Sequence, residues 1–93
     1  MKVFWTSQAL LDRAAIWDDI AADNPAAAAG MDVLFSEGVS RLKAQPLMGK
    51  PGLVQATREV LVCPSYRLVF EINHQEVWIL ALVHTARLWP PER

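Results

Sequence analysis

The chain has 93 residues, nine Lys/Arg against ten Asp/Glu for a formal charge of −1, and 53% hydrophobic residues. That length suits one domain, residues 1–93, around a single core. The near-neutral balance excludes a global attraction to polyanions, so nucleic-acid binding would need a local basic patch, and the surplus of apolar side chains points to a surface covered by a partner.

Residues 2–5 are apolar enough for a short opening strand. Thr6 and Ser7 then offer N-cap hydroxyls to a helix over 7–23. Leu10, Ala14, Trp17 and Ala21 recur there at helical spacing, with Asp12, Asp19 and Asp23 opposite, which predicts an apolar inner stripe and an acidic outer face. Asn24-Pro25 marks a break and a new start, since proline at the first helical position forfeits no hydrogen bond. A second helix is expected over 25–43, with Met31, Leu34, Phe35, Val39 and Leu42 on one face. Gly38 among them suggests a close approach between the two helices.

"QPLMGKPG", residues 45–52, reads as a connecting loop. The pattern then changes to strands over 57–63, 66–72 and 77–83, separated by Pro64-Ser65 and by a turn at Asn73-His74-Gln75. Connections this short make the three strands an antiparallel meander. Cys63 is the only cysteine, so no intramolecular disulfide is expected and a reducing compartment fits. No apolar leader or membrane-length run is present, so a cytoplasmic protein without membrane association is expected. The predicted fold is α+β, β-α-α-β-β-β, with a helix hairpin on one face of a small antiparallel sheet and the first strand along one edge.

The last strand, nearly all apolar, ends on His84 and then Arg87, groups that are costly to bury and seldom placed for packing alone. With the residues before them they make an ordered series, "PG…TRE…YR…H-x-x-R-x-W-P". That series, and the opening "WTSQALLDRAAIWDDIAADNP", resembles the RelE/ParE superfamily of small bacterial toxins from type II toxin–antitoxin modules. The resemblance runs from Val3 to Pro90, and it implies the same fold and a protein antitoxin as partner.

Two activities occur in that superfamily. RelE-like members are ribosome-dependent endoribonucleases, whereas ParE-like members poison DNA gyrase and are not enzymes themselves. Cleavage of RNA by its own 2′-hydroxyl needs a base, a stabilised phosphorane and an acid for the leaving oxygen. By the resemblance, Arg67 matches the phosphate-stabilising arginine and Arg58 a further basic position, with His84 as acid and Arg87 beside it. Val60 stands where another basic residue would be wanted, and the tail has no tyrosine, so this catalytic set is incomplete. The ending H-x-x-R-x-W-P is closer to the ParE-like branch, which implies DNA gyrase as target, with ribosome and mRNA as the alternative. An inactive homologue that only holds its antitoxin is a third reading.

The candidate cluster is therefore Arg58, Arg67, His84 and Arg87, catalytic or target-contacting, with Lys50, Tyr66 and Trp89 as further target-binding candidates. No metal or cofactor is implied. A homodimer and a toxin–antitoxin hetero-oligomer are both open. Simpler roles stand beside these. Arg67 can pair with Glu59 or Glu71 across the sheet, and His84 can bond to backbone at a strand end. Trp89-Pro90 can pack the tail on the sheet, Lys50 can merely solubilise its loop, and Trp5, Trp17 and Trp78 are core by default.

Overall fold

The computed structural model describes residues 1–91. In chain order the elements are β1 (Lys2–Trp5), α1 (Ser7–Ala21), α2 (Pro25–Ala44), β2 (Lys50–Pro51), β3 (Thr57–Cys63), β4 (Tyr66–Asn73) and β5 (Glu76–His84). Both helices begin as their sequences dictate. The Thr6 hydroxyl accepts the N–H of Ala9 at 3.2 Å, and Asn24 Oδ1 accepts that of Ala27 at 3.1 Å ahead of Pro25. These caps satisfy donors that the first helical turn leaves unpaired.

The five strands form one sheet in the order β1-β5-β4-β3-β2. β3, β4 and β5 are the expected antiparallel meander, and β1 adds to β5 in parallel, so the sheet is mixed rather than antiparallel throughout. Parallel pairing is open to β1 because both helices lie between it and β5 in the chain. The loop at 45–52 contains β2, two residues paired antiparallel to Arg58 and Glu59. Gly49, at φ +84°, immediately precedes it, and a Cβ there would run into the Glu59 carbonyl.

The pleat sends Leu68, Phe70, Val77, Ile79 and Leu82 towards the helices, where they close a core with Phe35 and Leu42. Leu80 is the extra residue of a bulge in β5, because Val69 faces Ala81 while Phe70 faces Ile79. The opposite sheet face carries no helix. There Val69, Ala81 and Val83 are buried under Leu80 and Trp89.

Three further expectations change. The stripe Leu10, Ala14, Trp17 is the solvent side of α1, with Leu10 53% and Trp17 40% exposed, while Ala9, Ile16 and Ile20 face inward. Both stripes have helical spacing, and the position of the sheet chooses between them. Gly38 is a close approach of α2 to β3 rather than to α1: a Cβ there would lie 2.6 Å from Val62 Cγ1. Trp78 is outside the main core, stacked on Phe4 on the bare face at a centroid distance of 4.8 Å.

Candidate functional site

The end of the sheet marked by Cys63, Tyr66 and His84 is formed by the meander alone, since β1 ends opposite Ile79 and β2 opposite Glu59. Tyr66 and His84 are cross-strand partners on the helix side, and their rings meet edge to face at 5.3 Å. Phe35 of α2 packs edge-on against Tyr66 at 5.8 Å, so the aromatic pair is fixed from below. His84 Nδ1 accepts the Ala86 N–H at 3.1 Å. In the neutral ring the proton is therefore on Nε2, which is left as a donor on an exposed residue.

The chain then turns sharply, with the Arg87 N–H donating to the His84 carbonyl at 2.9 Å and the Thr85 N–H to Ser65 O at 2.9 Å. The Arg87 and Leu88 side chains are exposed on this turn, and Trp89 folds back onto the bare sheet face. Between the turn and α1 lies a cleft of about 1110 Å³ lined by Asp12, Asp19, Tyr66, His84, Arg87 and Trp89.

Arg67 takes no part in that cleft. It is on the bare face, where its Nε lies 2.9 Å from Glu59 Oε1, an ion pair by distance whose angle falls short of a hydrogen bond. Nη2 donates to the Arg87 carbonyl at 2.8 Å and Nη1 to the His84 carbonyl at 3.4 Å. The two side chains are 13% and 10% exposed, a depth at which an unpaired charge would be costly. Lys50, exposed, is the cross-strand neighbour of Glu59, and with Arg67, Leu61 and Thr85 it borders a second hollow of about 560 Å³.

Arg58 is elsewhere again. Its partner Phe70 faces the helices, and so does Arg58, whose guanidinium donates to the carbonyls of Leu47 (2.7 Å), Gly49 (3.1 Å) and Met48 (3.4 Å). The four-residue cluster thus separates into three places: Arg58 tying down the loop before β2, Arg67 on the bare face, and His84 with Arg87 on the rim. Tyr66 and Trp89 border the rim, and Lys50 stands beside Arg67. Among the described residues, no group of three or more His, Cys, Asp or Glu side chains could hold a metal ion.

Sequence reasoning missed Asp12. Assigned to an outward acidic face, it instead sends its carboxylate to the Leu82 N–H at 3.1 Å. Beyond Trp5 that edge of β5 has no strand partner, and Thr6 Oγ1 donates to the carbonyl of Ile79 at 2.8 Å beside it. α1 therefore seals the edge with side chains in place of a strand. The alternation of Leu10 and Asp12 gave no signal of this, because the partner is a backbone group 70 residues away. Arg13 was also unassigned. It joins α1 to α2 through Asp32 at 2.6 Å and Ser36 at 2.9 Å, with its guanidinium 4.9 Å from the Trp5 ring centroid. Hydrogen bonds from Arg13 hold the Asp32 carboxyl below its ordinary range, against a smaller opposing effect of burial.

Helical geometry sets Leu10 and Trp17 next to Arg13 on the α1 surface, so the exposed apolar stripe flanks the seam between the helices, where Val33 of α2 is 53% exposed.

The family model for the ParE toxin of the type II toxin–antitoxin system parDE matches residues 3–89. Toxin RelE2 of Caulobacter vibrioides is 35% identical over 88 residues, covering 94% of this chain and 98% of that protein. Y4kP of Sinorhizobium fredii, named as a candidate toxin, is 31% identical over 90 residues, covering 96% and 93%. Among solved structures, a chain of the chromosomal ParDE system from P. aeruginosa superimposes with a TM-score of 0.80 at 26% identity, over 90% of this chain and 95% of that one.

Proposed function

Because this chain belongs to the ParE toxin family of type II toxin–antitoxin systems, we propose that it acts by binding and not by catalysis, inhibiting DNA gyrase through the rim formed by His84, Arg87 and Leu88. The supporting observation is how the arginines are used. Phosphoryl chemistry needs guanidinium groups aimed at the position where negative charge develops. Arg67 instead spends its Nε, Nη1 and Nη2 on Glu59 and two backbone carbonyls, and Arg58 is occupied on the opposite sheet face. The basic groups left at the rim, Arg87 and His84, suit contact with a partner surface.

The cognate antitoxin, in this reading, covers the stripe of Leu10, Ala14 and Trp17 beside the helix seam. Such a stripe on a protein of this size is most simply a protein-binding surface. Asp12 and Asp19 of α1 line the cleft at the rim, whereas Leu10, Ala14 and Trp17 lie on another side of the same helix, which lets one surface bind the antitoxin while the other meets the target.

One observation favours a second reading. The relative named RelE2 is compatible with a ribosome-dependent ribonuclease in which a protonated His84 is the acid, provided that its Nδ1 gives up the Ala86 N–H and that Arg67 leaves Glu59. Purified protein assayed in parallel against gyrase supercoiling and against translation in vitro separates the two. Loss of supercoiling with translation intact is expected. Ribosome-dependent messenger cleavage with supercoiling intact would replace the gyrase reading by the ribonuclease one.

A further inference from the structure

Residues 85–89 leave the sheet without regular structure, yet the N–H groups of Thr85, Ala86 and Arg87 are all engaged. Thr85 uses its N–H on Ser65 O and its hydroxyl on Pro64 O (3.1 Å), and Ala86 uses its N–H on the His84 ring. The His84 carbonyl already accepts the Arg87 N–H at 2.9 Å and has a lone pair for a second donor, whereas the Arg87 carbonyl has no backbone donor among the described residues. One side chain serves both. Arg67, cross-strand from Val83, reaches the His84 carbonyl with Nη1 and the Arg87 carbonyl with Nη2 while its Nε rests on Glu59.

We propose that Arg67 is a positioning residue: anchored on Glu59, it clamps the His84 and Arg87 carbonyls and so holds the turn with the Arg87 and Leu88 side chains outward, in the shape the target meets. The part that concerns the target rests on the function proposed above; the clamp itself does not. The chemistry needs arginine. Two carbonyl acceptors and a carboxylate in different directions match a planar, delocalised cation with several fixed donors, whereas an ammonium supplies a compact charge that cannot span them. Trp89 completes the device from the far side of the turn by covering Val69, Ala81 and Val83.

The deciding measurement is amide hydrogen exchange over residues 84–89 beside gyrase inhibition, in the full chain and in R67K, R67A, R87A and E59Q. Far-UV circular dichroism and exchange in β3 and β4 report whether each variant folds. R67K and R67A should each lose protection in 84–89 by roughly tenfold or more, as expected when hydrogen bonds to a charged donor are removed, and lose inhibition with it. E59Q keeps the guanidinium but weakens its anchor, and should lose part of both. R87A removes a side chain while leaving the clamped carbonyl, so protection should stay and inhibition fall. Should R67A fail to fold, R67K carries the test. The proposal is overturned if R67K keeps the turn protected, whether inhibition persists or is lost; loss with protection intact would make Arg67 a direct contact. If the unaltered protein leaves gyrase active while R67K deprotects the turn, the clamp stands and the gyrase reading fails.

Discussion

The two faces of the sheet are closed in different ways. The helix side buries a continuous set of large side chains, with Phe35, Leu42, Leu68, Phe70 and Ile79 at 1% exposure or less. Of apolar residues the bare side buries only Val69, Ala81 and Val83, and what covers them is the protein's own tail, through Trp89, with Leu80 beside it. The first face holds the fold together by area removed from water. The second holds a short segment in place, and that segment carries the rim residues. The fold thus rests mainly on the helix side, while the turn that bears Arg87 and Leu88 is anchored from the bare side of the same meander.

Truncation tests the division most strongly. Phe35→Ala should cost about 3–5 kcal/mol, the range for a fully buried aromatic, measured as a fall in the urea midpoint and in Tm. Trp89→Ala should cost less, about 1–2 kcal/mol for a half-buried indole, with increased exchange concentrated in the tail and in Val69, Ala81 and Val83. Equal losses from the two would break the comparison.

A change in the hairpin that serves both faces should help each alike. His74 and Gln75 adopt φ +50° and +65° in the turn between β4 and β5, both values that glycine or asparagine accepts more readily. Gln75→Gly should stabilise the protein by up to about 1 kcal/mol, seen as a higher Tm with the slope of the urea transition unchanged.

The smallest effect belongs to the helix side alone. Asp32 has its pKa lowered in the folded chain by Arg13, so its contribution is present above the unfolded carboxyl pKa, near 3.8, and is lost as pH falls through the lower folded value. The pair is partly exposed, at 24% and 36% for the side chains, so the effect should be below about 1 kcal/mol. Asp32→Asn should flatten stability against pH below about 5 and leave the exchange of residues 84–89 unaltered.

How far each of these features was legible follows from its range in the chain. The caps at Thr6 and Asn24, the helix break at Pro25, the meander and the tail's packing on the sheet all depend on near neighbours or on period-two alternation, and each is found where the residues imply. The alternation also put Arg67 on the face away from Phe70, and Glu59 was one of its two foreseen partners. By contrast, α1 has two stripes of similar hydrophobicity, and nothing local ranks Ala9-Ile16-Ile20 above Leu10-Ala14-Trp17. Asp12 looked solvated because its acceptor role is owed to an edge of β5 that exists only once β1 stops at Trp5.

By itself, then, the sequence determined the element types, most of their limits, and membership of a toxin lineage, since these are carried by local propensity and by ordered motifs. Only the folded arrangement decided which apolar stripe faces water and that Arg58, Arg67 and His84 occupy three separate places. Direction of a side chain within a face is a matter of which long-range acceptors arrive beside it, and here the acceptors for Arg67 come from a turn 17 to 20 residues further along the chain.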